Sequence, residues 1–141
     1  MTRHEERVQI FTLLYEYTFY GDTDAGEFLS SRENDDAFDA TPFVKTTFQN
    51  TVLKMDEIDA KIAEYAVGWK ISRMSRVTRS VLRLASYELL YTDVPPKAVI
   101  NEALEISKEY DDEKAAPFVN GILNKLARGI GKIGDENSDK K

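Results

Sequence analysis

The chain has 141 residues and no cysteine, with 19 Lys and Arg against 25 Asp and Glu, so its formal net charge is −6. That length suits one compact domain, not a cofactor domain joined to a substrate domain, and 42% hydrophobic residues suffice for a packed core. Without cysteine there are no disulfides, zinc knuckles, iron–sulfur ligands or thiol nucleophiles.

Helical spacing runs through the whole chain. Phe11, Leu14, Tyr15 and Thr18 recur at i, i+3, i+4 and i+7 until Gly21-Asp22 stops the segment. Asp24 to Arg32 forms a short second helix, and the polar stretch Glu33 to Ala40 is a loop. Thr41-Pro42 has the form of an N-cap followed by proline at the first helical position, where its missing N–H costs nothing. A helix from Phe43 to Met55 follows, then another from Asp56 to Trp69 with Ile58, Ile62, Tyr65 and Ala66 on one face.

Ser75 caps the next helix, Arg76 to Tyr91, which ends before Asp93-Val94-Pro95-Pro96. Val99, Ala103, Ile106 and Tyr110 define a further amphipathic helix, and Asp111-Asp112-Glu113 breaks it. Phe118, Ile122, Leu123 and Leu126 mark the last helix, with Pro117 near its start. The expected architecture is all-α, about seven helices, with residues 1–134 as one domain and 135–141 as a charged flexible tail. No alternating strand run is present, and no apolar stretch approaches the roughly 20 residues of a membrane span. The acid-bearing start, Met1-Thr-Arg-His-Glu-Glu-Arg, lacks the apolar middle of a signal peptide, which leads to the expectation of a soluble, cytoplasmic protein.

Groups able to do chemistry are few. His4 is the sole histidine and sits on a terminus expected to fray, so neither a metal site nor a Ser-His-Asp relay is expected. Gly129-Ile130-Gly131-Lys132-Ile133-Gly134 has dinucleotide-loop spacing but follows a helix, not a strand, which makes it a glycine-rich helix stop. The tail run from Asp135 to Asp139 opens like a calcium loop but has Lys140 where the glycine is required. Asp35-Asp36 and Asp111-Asp112 are read as solvated loop acids. Catalysis and bound cofactors are therefore not expected.

Binding surfaces are better supported. Lys70, Arg73, Arg76, Arg79 and Arg83 give residues 70–83 a charge of +5, leaving −11 on the remainder. On a wheel of about 100° per residue, Arg76, Arg79 and Arg83 fall within about 60° of each other, beside the apolar face of Val77, Val81 and Leu84. Such a stripe suits an acidic partner or a second copy of the chain; a salt-bridged helix face has the same spacing. Arg3 and Arg7 share the side of the first helix that turns apolar further along, so both are expected to overhang the core edge, where guanidinium groups can grip phosphates. Aromatic side chains can stack unpaired bases, although the spacing of Phe118 favours the core.

The second half contains Arg79-Ser-Val-Leu-Arg-Leu-Ala-Ser-Tyr-Glu-Leu-Leu, then Val94-Pro95, then Ile100-Asn-Glu-Ala-Leu-Glu-Ile-Ser-Lys-Glu-Tyr, then Phe118-Val-Asn-Gly-Ile-Leu-Asn-Lys. In that order and spacing these segments closely resemble the NusB family of bacterial transcription antitermination factors. The resemblance implies two small packed helical bundles and an adaptor, not an enzyme. It also implies NusE, a small-subunit ribosomal protein, as partner, and the single-stranded boxA element of ribosomal RNA leaders as ligand, within the RNA polymerase antitermination complex. By position it assigns RNA contacts to Arg3, His4, Arg7, Tyr15, Lys114 and Phe118, and the NusE-facing role to Glu88. Some members form homodimers that cover the RNA surface, which makes a homodimer or protein-only module the alternative. His4, Glu5 and Glu6 dilute the denser arginine cluster of many members, which raises the dependence of RNA binding on NusE.

Overall fold

The structure, a computed structural model, describes residues 1–35 and 37–133. Asp36, Gly134 and the expected tail 135–141 with its calcium-loop-like run lie outside the described residues. Among those described the chain forms seven α-helices, one 3₁₀ turn and no strand. The helices are α1 (Arg3–Tyr17), α2 (Ala25–Glu33), α3 (Pro42–Leu53), α4 (Met55–Tyr65), α5 (Arg76–Tyr91), α6 (Pro96–Tyr110) and α7 (Ala115–Gly129), with the 3₁₀ turn at Ile71–Arg73.

Local chemistry sets most of these boundaries. Thr2 and Glu5 form a reciprocal capping box: Thr2 Oγ1 accepts from the Glu5 amide at 3.1 Å, and Glu5 Oε1 accepts from the Thr2 amide at 2.9 Å. The terminus expected to fray is thereby closed. Asp24 caps α2, Thr41 caps α3 ahead of Pro42, and Ser75 accepts from the Thr78 amide at 3.0 Å to start α5. The end of α7 is a Schellman stop. The Lys132 amide reaches the Ala127 carbonyl, the Gly131 amide reaches that of Arg128, and Gly131 has φ +79°. Within the described residues, Gly129 and Gly131 form the helix stop that their position implied.

The end of α4 differs from the pattern. α4 ends at Tyr65, not Trp69, because Gly68 at φ +81° turns the chain and the Trp69 amide bonds back to the Ala66 carbonyl. α5 starts at Arg76 as the Ser75 cap implied, and Arg73 belongs to the separate 3₁₀ turn before it.

α1, α2 and α3 pack as one small bundle and α4 to α7 as a second, joined mainly where α1 lies along α5. Helix α5 touches α1, α3, α4, α6 and α7, and it has ten buried residues, polar ones among them. One continuous apolar cluster runs through both bundles, from Ile10 and Phe48 to Leu89, Leu123 and Leu126. In the first bundle Tyr17, Phe28 and Phe48 pack ring to ring with centroids 5.4 to 5.7 Å apart. Phe48 is fully buried there, so Phe48→Ala is expected to cost about 3–5 kcal/mol in urea unfolding, through lost burial and an unfilled cavity.

Candidate nucleic-acid and partner interface

The site residues are distributed along one edge of α1 and around the start of α5. Arg7, one turn into α1, does not overhang. Its Nε and one terminal nitrogen donate to the two carboxylate oxygens of Glu88 on α5, at 2.9 and 3.0 Å. Arg7 is 8% exposed and Glu88 3%. Burial alone would lower the guanidinium pKa; the hydrogen bonds and charge of Glu88 outweigh it, and the pKa is raised. The expectation that Arg7 protrudes to grip phosphate is corrected, and so is the placing of Glu88 on a partner-facing surface. The reason is shared. Helix α5 is covered on several sides, so even its polar positions are enclosed, and the pattern of one helix does not show what lies opposite it.

Arg3 and His4 diverge from that pair in opposite directions. The Arg3 guanidinium lies 3.7 Å from the centroid of the Phe43 ring on α3 and 3.5 Å from Glu6, with its side chain still 54% exposed. Glu6 in turn accepts from Thr41 Oγ1 at 2.5 Å. His4 faces α6, where its Nδ1 lies 2.7 Å from Glu102 and 3.6 Å from Glu105. The hydrogen bond to Glu102 raises the His4 pKa above its ordinary 6.5, against a smaller opposing effect of burial, with the nearby charges of Glu102, Glu105 and Glu109 adding to it. His4, Glu102 and Glu105 also bring three potential ligand atoms within 4.8 Å of one another.

The predicted arginine stripe is split by its surroundings. Arg83 makes a bidentate pair with Asp59 of α4, at 2.9 and 2.8 Å. Arg79 is half-buried with its Nε lacking an acceptor among the described residues; burial, then repulsion from Arg83 and Arg76, lowers its pKa against the pull of Asp59. Arg76 is exposed, its guanidinium 4.2 Å from the Phe19 ring centroid. Phe19 packs edge-on against the half-buried Tyr15, with ring centroids 5.3 Å apart. Tyr15, Phe19 and Arg76 thus form a cation–aromatic cluster beside the start of α5. The stripe is coherent only at its first member; Arg83 is a structural tie.

A second aromatic cluster borders the same helix end. Phe118, half-buried near the start of α7, meets Trp69 in a T-shaped contact at 5.4 Å, and Trp69 is 59% exposed. Between them and α5 lies an open groove of about 440 Å³ whose lining includes Arg73, Thr78, Asp111, Asp112 and Lys114. Arg73 and Lys114 are exposed. Asp111, read from sequence as a solvated loop acid, is half-buried and accepts from Thr78 Oγ1 at 2.5 Å, tying the α6–α7 loop to α5. Sequence reading missed Trp69 because it extended α4 through it; Gly68 was the available signal.

No described helix is long and apolar enough to cross a membrane. Seven helices that bring exposed cations and aromatic rings to the ends of α1, α5 and α7 make an all-α protein of the binding type. The chain belongs to the NusB family, whose sequence model matches residues 4–128. It is 34% identical over 134 residues to the transcription antitermination protein NusB of Clostridium perfringens, covering 92% of this chain and 99% of that one. A solved structure of T. maritima NusB aligns over 91% of this chain and 92% of its own, with a TM-score of 0.77 and 33% identity. A structure of antitermination factors NusB and NusE in complex with dsRNA aligns over 92% of this chain and 99% of its matched chain, with a TM-score of 0.74 and 29% identity.

Arg7→Ala or Glu88→Gln is expected to lower unfolding free energy in urea by about 3–5 kcal/mol, because each strands one buried charge; the apolar double variant R7M/E88L is expected to lose less than either. The single histidine permits a clean proton NMR titration. His4 is expected to titrate above 6.5 and to fall back on Glu102→Gln. Because the folded pKa is the raised one, the His4–Glu102 tie is at full strength below the unfolded pKa and is lost as pH rises through the folded one.

Proposed function

We propose that this chain is a cytoplasmic transcription antitermination adaptor. It binds boxA-type single-stranded leader RNA together with NusE and promotes read-through of ribosomal RNA operons as part of the RNA polymerase antitermination complex. It works by holding partners together and turns over no substrate. The observation that carries this reading is the near full-length likeness, at 29% identity, to the NusB solved beside NusE and RNA. The geometry supplies groups suited to that role, with exposed Arg3 and Lys114 for phosphates, and Tyr15 and Phe118 as partly exposed rings for bases.

Within this reading the roles divide by accessibility. Arg3, His4, Tyr15, Lys114 and Phe118 contact RNA, while Arg7 acts from inside by holding α1 in register through Glu88. Arg76 and Arg79 offer cations to the protein partner. With His4 drawn to Glu102 and Glu105, the amino-terminal lip has less free positive charge than its residues suggest, and RNA affinity depends correspondingly on the NusE complex.

Arg3, Arg73 and Lys114 together neutralise about three phosphates, so log affinity for single-stranded RNA against log salt is expected to have a slope of about −2, at roughly −0.7 per phosphate. Fluorescence anisotropy with a boxA-like oligomer and NusE over a salt series measures it. The R3A/K114A double variant is expected to flatten the slope by about 1.4 with helicity unchanged. A salt-independent response, or no RNA binding by the NusE complex, overturns the proposal.

A further inference from the structure

The start of α1 meets α6 in an arrangement that neither helix's own pattern contains. His4, the only histidine, sets its Nδ1 2.7 Å from a carboxylate oxygen of Glu102 and 3.6 Å from one of Glu105. The three atoms all lie within 4.8 Å of one another. Glu102 and Glu105 are three residues apart on α6, so helical geometry turns both carboxylates to one side. The imidazole comes from a different element, 98 residues earlier in the chain than Glu102. It is not loose there. The Thr2–Glu5 capping box closes the first turn of α1, and the Arg7–Glu88 pair fixes the next turn against α5. Farther along, the rings of Phe11 and Tyr110 join the same two helices with centroids 5.4 Å apart. The donors are held by the fold before any ligand arrives.

Charge in this cluster is unbalanced. Neither Glu102 nor Glu105 pairs with a lysine or arginine among the described residues, and Arg7, whose charge feels Glu102, is taken by Glu88. Glu109, a turn further along α6, adds to the negative field at His4. Two carboxylates this close repel each other. A neutral imidazole offsets none of their charge and a protonated one only half; a divalent cation balances both. The spacing suits a small ion. Atoms bonded to tetrahedral zinc at about 2.0–2.1 Å stand roughly 3.3 Å apart. Nδ1 and the Glu105 oxygen are already near that separation. His4 and Glu102 are partly exposed and Glu105 exposed, which leaves room for water at the remaining position. One nitrogen with two carboxylates selects a zinc-like ion over magnesium or calcium, which take all-oxygen shells.

We propose that His4 Nδ1, Glu102 and Glu105 form a binding site for a divalent transition-metal ion of the zinc type, completed by water, that fastens the start of α1 to α6. The ion takes the place of the proton in the His4–Glu102 hydrogen bond: bonds form to Nδ1 and to one oxygen of each carboxylate, and the proton leaves to solvent. Only Nδ1 is used, so Nε2 stays open to the RNA contact of the adaptor reading. The metal site does not depend on that reading.

The full chain, first treated with a chelator, is titrated with zinc chloride in a non-coordinating buffer. The His4 ring signals are followed by proton NMR and thermal unfolding by circular dichroism. A saturable movement of the ring signals and a rise in Tm are expected, and magnesium chloride at the same concentrations is expected to produce neither. His4→Gln, Glu102→Gln and Glu105→Gln are each expected to weaken zinc binding, measured by equilibrium dialysis, at least about 10-fold. Glu105 is exposed, so Glu105→Gln leaves packing intact and decides the matter if either of the other variants unfolds. His4 signals that stay unmoved at millimolar zinc, variants that bind zinc as tightly as the wild type, or an equal response to magnesium overturn the site. None of these outcomes bears on the adaptor reading, which RNA binding tests.

Discussion

The buried ion pair between Arg7 and Glu88 is the constraint around which the rest of the molecule is arranged. Two charges taken out of water are tolerable only when each satisfies the other, and the bidentate geometry does this with two hydrogen bonds of 2.9 and 3.0 Å. The pair spans 81 residues of sequence and sits where the two helical bundles join. Turning α1 about its axis, or sliding it along α5, would strand both charges. The pair thereby sets which α1 side chains face which neighbour: Arg3 goes to Phe43 on α3 and His4 to the glutamates of α6.

That division leaves an acidic chain with only part of its positive charge available at the surface. Its cations are not massed. Arg7 and Arg83 are consumed by Glu88 and Asp59 in holding helices together, and His4 is drawn to carboxylates. Among the exposed cations, Arg3 and Arg76 lie against aromatic rings, while Arg73 and Lys114 line one groove. On the adaptor reading proposed above, stacking and phosphate contact at a few positions would take the place of bulk charge.

Much of the fold was legible in the residues alone. Ser75 and Thr41-Pro42 mark helix starts that depend on hydrogen bonds within three residues, and the Gly129–Gly131 stop depends on local φ. Interactions of that range are written in neighbouring letters. The site was legible only in part. The wheel placed Arg3 and Arg7 on one side of α1, which is geometrically sound, yet one guanidinium is exposed and the other sealed. Arg76, Arg79 and Arg83 share a face of α5 but meet Phe19, no acceptor and Asp59 respectively, three environments supplied by different elements. Trp69 was hidden for a local reason, since the turn at Gly68 was read through as helix.

By itself, the order of residues determined the all-helical class, most helix boundaries and the family, because propensity, capping and motif spacing act over a few residues along the chain. Tertiary structure alone decided which charges are free, since a charged side chain is accessible or buried according to what packs opposite it. That opposite element, Glu88 for Arg7 or Asp59 for Arg83, lies tens of residues away, where no periodicity in the sequence points.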